Sequence, residues 1–220
     1  MENITGESPI HHLIDSLGPQ WGYVGRTPVA LHFGDPGAES EFSRTLGLCD
    51  VSAWPKFGVK GKNAARWLIE RYIDVPDDIY DVRTLGNDGI IARIGPNEFL
   101  LEDGTTGTAV AALSEQLESA EGRVYRVERQ EATFLLSGAK ALEPVAQVCG
   151  VDLSKLLVRR LIYTRFAGVS VGVISAPVKG LPVYRIWVDS TYAEYLWENL
   201  SQISGELGGR IVGVGCLNRE

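Results

Sequence analysis

Apolar positions change their spacing several times along the chain, and each change marks an element. Ile10, Leu13, Ile14 and Leu17 recur at helical spacing in "PIHHLIDSLG", which predicts a short helix stopped by Gly18. The Gly- and Pro-rich stretch "GPQWGYVGRTPVALHFGDPGAE" reads as a loop. "ESEFSRTLG" predicts a second short helix ended by Gly47. In "KFGVKG", Phe57 and Val59 alternate with Lys56, Gly58 and Lys60, the period of a strand. "KNAARWLIERYI" gathers Ala64, Trp67, Leu68 and Tyr72 on one helical face. "GIIARIGPNEFLLE" predicts a hairpin, two β-rich runs around Gly95-Pro96-Asn97. "TGTAVAALSEQLESA" predicts a further helix.

The pattern then returns. "ATFLLSGAKALEPVAQVCG" is again a strand, a glycine and an apolar helix. Phe57 falls on Phe134, Val59 on Leu136, Gly61 on Gly138, Ala64 on Ala141 and Leu68 on Val145, each 77 residues on (138 − 61). A second echo sets "EFLLEDGTTGTAVAALSEQL" against "YRIWVDSTYAEYLWENLSQI", with Asp103 on Asp189 and Thr105 on Thr191, 86 residues on (189 − 103). Each Asp ends an apolar strand ahead of a helix, where it or a nearby Ser/Thr is placed to cap. Two echoes in the same order predict a duplicated strand–Gly–helix–hairpin–helix unit. The expectation is a single duplicated α+β domain over 1–220, with half one about 45–120 and half two 121–218.

Composition narrows the function classes. The 220 residues suit one domain with its own core, and 45% hydrophobic with 22% charged is ordinary for a globular protein. A net charge of −7 argues against a nucleic-acid surface. Cys49, Cys149 and Cys216 are far apart and form no CxxC, so zinc-ribbon and thioredoxin-like readings fail and a reduced, cytoplasmic setting is expected. "MENITGESPIHH" has neither a basic nor an apolar signal region, and no apolar run reaches about 18 residues, so no membrane span is expected. His11-His12 lack partners at ligand spacing, and no metal is expected. Apolar strands at each half's edge point to association, including with further copies of the chain.

Cys49, Asp50 and Ser52 stand close together in "GLCDVSAWPKFGVKG" and look like catalytic equipment. In the second copy these positions are Arg126, Val127 and Arg129, so the trio lies outside the repeated frame. A catalytic thiolate needs a base or a positive environment, and no histidine is near in sequence. The expected roles are structural: Asp50 and Ser52 bonding local backbone N–H groups, Cys49 a small buried hydrophobe. Trp67 and Trp197 are expected in the core or an interface. Trp54, before a proline in an irregular segment, is a candidate to line a ligand groove.

"LGLCDVSAWPKFGVKGKNAARWL", preceded by the acid-and-arginine helix "ESEFSRT", resembles the N-terminal part of the glycine cleavage T protein, an aminomethyltransferase. Asp50-Val51-Ser52 and Gly61 fall on the firmest positions of that family's opening line. "LLSGAKALEPVAQVCGVDL" is similar to its second strand–Gly–helix unit. "IGPNEFLLE" and "VDSTYAEYLWENL" are similar to segments of a relative, the gamma subunit of heterotetrameric sarcosine oxidase, which is also of this size. The resemblance runs over residues 35–218. It implies a folate-binding-type domain of two intertwined, pseudo-symmetric halves, with antiparallel sheets and covering helices. It also implies transfer of a one-carbon unit to tetrahydrofolate.

The residues that the resemblance assigns to that chemistry are partly replaced. The family's Asp-Asp pair falls on Asn87-Asp88, leaving Asp88 as the candidate catalytic acid. The segment whose carboxylates grip the pteridine edge falls on "GLPVYR", where Leu181 and Arg185 replace the acids. The family's Asn after the "FLL" strand is also gone, so Glu102 or Asp103 would have to hold the pterin. Lys179 and Arg185 would suit an anionic ligand instead. The resemblance thus implies an accessory, sarcosine-oxidase-gamma-like protein beside flavin-dependent amine oxidase or dehydrogenase subunits. The alternatives are a stand-alone tetrahydrofolate-dependent aminomethyltransferase or demethylase, and a binding or assembly protein without turnover.

Overall fold

The computed structural model describes residues 7–25, 27–86, 88–118, 122–177 and 180–217. Helix α1 (His11–Asp15) leads into strands β1 (Gln20–Val24) and β2 (Thr27–His32), then α2 (Pro36–Thr45) and β3 (Gly47–Asp50). Next come β4 (Lys56–Lys60), α3 (Ala64–Ile69), β5 (Val82–Leu85), β6 (Gly89–Gly95), β7 (Glu98–Glu102) and α4 (Ala109–Glu118). Strand β8 (Tyr125–Glu128) precedes β9 (Ala132–Ser137), α5 (Leu142–Val148), β10 (Leu161–Phe166), β11 (Val169–Ser175), β12 (Val183–Val188), α6 (Ala193–Glu206) and β13 (Arg210–Ile211).

The duplication is visible in the sheets. One has the order β5-β6-β7-β4-β8, the other β10-β11-β12-β9-β3-β13. Within both, a strand, a helix and three further strands form the same order, the first strand pairing with the last. The leading strands are exchanged. β3 precedes β4 in the chain but pairs with β9, and β8 precedes β9 but pairs with β4, both antiparallel. Strands β3 and β8 lie one residue from the 77-residue offset. The chain accordingly divides into two compact units that interleave in sequence: Met1–Ala53 with Glu131–Val158 and Ile162–Glu220, and Trp54–Gln130 with Arg159–Leu161.

Two glycines fix these exchanges. Gly138 ends β9 at φ +102°, and a Cβ there would lie 2.5 Å from the Thr45 carbonyl, just ahead of β3. Gly61 follows β4 at φ +133°, and its Cβ would collide with the Arg123 carbonyl, just ahead of β8. Each repeat thus has its glycine where the borrowed strand arrives, and only glycine accepts both the left-handed backbone and the approach.

Each unit has its own core. In the first, Phe134, Leu136, Ile186 and Val188 pack with Leu196, Trp197 and Leu200 of α6. In the second, Phe57, Val59, Phe99 and Leu101 pack with Trp67 and Leu68 of α3 and Val110, Leu113 and Leu117 of α4. Trp67 and Trp197 are core residues. The second faces of the strands are buried too: Leu135 and Trp187 in the larger sheet, Ala92 and Leu100 in the smaller. Among the described residues no helix is long and apolar enough to cross a membrane.

Three local expectations are corrected. The Gly- and Pro-rich stretch is not all loop; it holds the β1–β2 hairpin, in register Trp21↔Ala30 and Tyr23↔Pro28. Gly25, at φ +60°, supplies the turn, and Pro28 sits in a two-stranded ribbon whose edges tolerate a missing donor. Gly47 does not stop α2, which ends at Thr45; Gly47 already begins β3. Tyr72 leaves the apolar face of α3. It lies past the helix at φ +60° and is almost wholly exposed, while Ile73 donates its N–H to the Leu68 carbonyl and packs on the core in its place.

Gly138→Ala is expected to cost more than about 2 kcal/mol in urea-unfolding stability, from positive-φ strain and backbone collision together. Gly150→Ala, with nothing within 4 Å of the added Cβ, should stay within about 0.5 kcal/mol.

Candidate functional site

The β6–β7 hairpin forms with Ile90 opposite Glu102 and its turn at Gly95-Pro96-Asn97, as the sequence predicts. Continuing that register brings Asp88, before β6, opposite Gly104, after β7. Asp88 accepts the Thr105 N–H on Oδ2 at 2.8 Å, and its carboxylate rests so close over Gly104 that any Cβ there would collide with it. Asp103 turns the other way, into the start of α4. Its Oδ2 accepts the Val110 N–H at 3.0 Å, which makes it the cap that its place before a helix predicts. Its Oδ1 lies 2.7 Å from where a Cβ on Gly107 would stand. Two glycines thus let two carboxylates settle on one bare turn.

The electrostatics of this turn are unusual. Asp103 is 1% exposed. Burial raises its pKa above the ordinary aspartate range, and the negative charges of Asp88 and Glu102 push the same way, opposed by the N–H groups of Val110 and Ala109. Glu102 is fully buried and meets Lys56, its cross-strand neighbour, at 3.2 Å. Asp88 Oδ1, Asp103 Oδ1 and Thr105 Oγ1 are buried without a hydrogen-bond partner among the described residues. Among those residues no three His, Cys, Asp or Glu side chains group to hold a metal.

The structure brings Asp88, Glu102 and Asp103 together, in the smaller-sheet unit. Trp54, in the same unit, is 4% exposed and buried. Arg185 belongs to the other unit, on β12 between Leu135 of β9 and Ile174 of β11, and is 5% exposed. Leu181 lies just before that strand and is half-buried. Lys179 and Asn87 lie outside the described residues.

The Cys49-Asp50-Ser52 stretch is structural. Burial, above all, holds the Cys49 thiol well above its ordinary pKa, the opposite of an activated nucleophile. Asp50 Oδ1 accepts from the Ser52 N–H at 3.0 Å and the Ser52 hydroxyl at 2.6 Å. Asp50 Oδ2 accepts the Ser8 hydroxyl at 2.6 Å, and Ser52 Oγ accepts the Thr133 N–H at 3.0 Å. The local turn was legible; the reach to Ser8 and Thr133 was not, because those residues are far off in sequence. Beside Asp50, Ser8, His11, Trp21 and Phe33 line a small cleft, with His11 stacked on Trp21.

No family model matches the sequence, and no curated protein does either. Solved structures do. The glycine cleavage system aminomethyltransferase T from Bartonella henselae superposes over 97% of this chain with a TM-score of 0.79 at 19% identity. The chain has the fold of the glycine cleavage T protein. It spans only 61% of that aminomethyltransferase's length. A chain of the heterotetrameric sarcosine oxidase from Corynebacterium sp. U-96, solved in complex with pyrrole 2-carboxylate, is similar over 92% of this chain and 96% of its own, with a TM-score of 0.64 at 19% identity.

Because the folded state keeps the Asp103 proton to higher pH than the unfolded chain does, this group's contribution to stability is greatest below the unfolded pKa of about 3.9 and is lost as pH rises through the raised folded value. Asp103→Asn, which keeps the cap acceptor without the charge, should flatten that loss and be at least as stable as wild type at pH 7. Asp103→Ala should lose about 1 kcal/mol with the cap. Urea titrations across pH check both.

Proposed function

We propose that this protein is an accessory, sarcosine-oxidase-gamma-like subunit of one-carbon metabolism, working in the cytoplasm beside flavin-dependent amine oxidase or dehydrogenase subunits. The observation that carries the reading is one of extent. The chain superposes over 96% of a chain of a heterotetrameric sarcosine oxidase, with a TM-score of 0.64.

The site residues support the same reading. A pteridine edge presents N–H donors and asks for carboxylate acceptors. Where the resemblance puts those acceptors, this chain has Leu181 and the guanidinium of Arg185, which carries donors only. Burying pterin donors against them would cost about 1–3 kcal/mol for each unpaired group. Asp88 already receives the Thr105 N–H, and Glu102 already meets Lys56. These residues do not fit tetrahydrofolate held in the family's manner. The larger partner subunits would then carry the flavin chemistry, and this chain would complete their assembly.

An affinity-tagged copy expressed in its native host is expected to purify as a complex with flavin absorbance and amine-dependent reduction of that flavin. Purification as a lone chain, without flavin under gentle lysis, would remove the accessory reading and favour a stand-alone protein.

A further inference from the structure

We draw no further inference here: the strongest candidate, the small cleft that His11, Trp21, Phe33 and Asp50 line, has room for little more than a water molecule, and its carboxylate is already engaged by the hydroxyls of Ser8 and Ser52.

Discussion

The exchange of leading strands is the constraint on which the rest of the molecule depends. Each sheet is completed by a strand that precedes the other repeat's first strand, and the larger sheet joins strands that lie before and after the smaller one in sequence. The pairing of Cys49 with Leu135 joins residues far apart in the chain, and such contacts must offset loop closure before they stabilise anything. The glycines at 61 and 138 make the closure permissible. A buried carboxylate secures the chain around it: Glu39 on α2 accepts N–H groups from Phe33, Gly34 and Gly213 at 2.6, 3.0 and 2.8 Å. It thereby ties the hairpin exit and the C-terminal segment to α2, beside β3.

The same architecture places the candidate chemistry. Because β6 and β7 pair with Ile90 opposite Glu102, the residue before the hairpin and the residue after it meet, and Asp88 comes to the turn that Asp103 leaves. In the other unit, the larger sheet buries Arg185 on its second face, where a resemblance to the T protein leads one to expect an acid.

Much of this was legible in the residues. The 77-residue echo located Gly61 and Gly138, and strands β3 and β8 fall almost on the same offset. The 86-residue echo located Asp103 and Asp189, and both cap: Asp189 Oδ1 accepts the Thr191 N–H at 2.9 Å. What stayed hidden depends on contacts between distant segments. The β1–β2 ribbon was masked by its glycines and prolines, which read locally as loop. Glu39 looked like one more acid on a polar helix, since its three partners include an N–H 174 residues away. The meeting of Asp88 and Asp103 follows from hairpin register, which no spacing between the two reveals.

On the proposed reading, this chain has the T-protein fold without the grip on a pterin that the family resemblance implies. Isothermal titration of tetrahydrofolate into the purified chain tests it most directly. The expected result is no binding heat up to about 1 mM, with no change in tryptophan fluorescence. Saturable binding with a Kd near 1 μM would contradict it, because Leu181 and Arg185 would then have to be bypassed by a pocket of different chemistry.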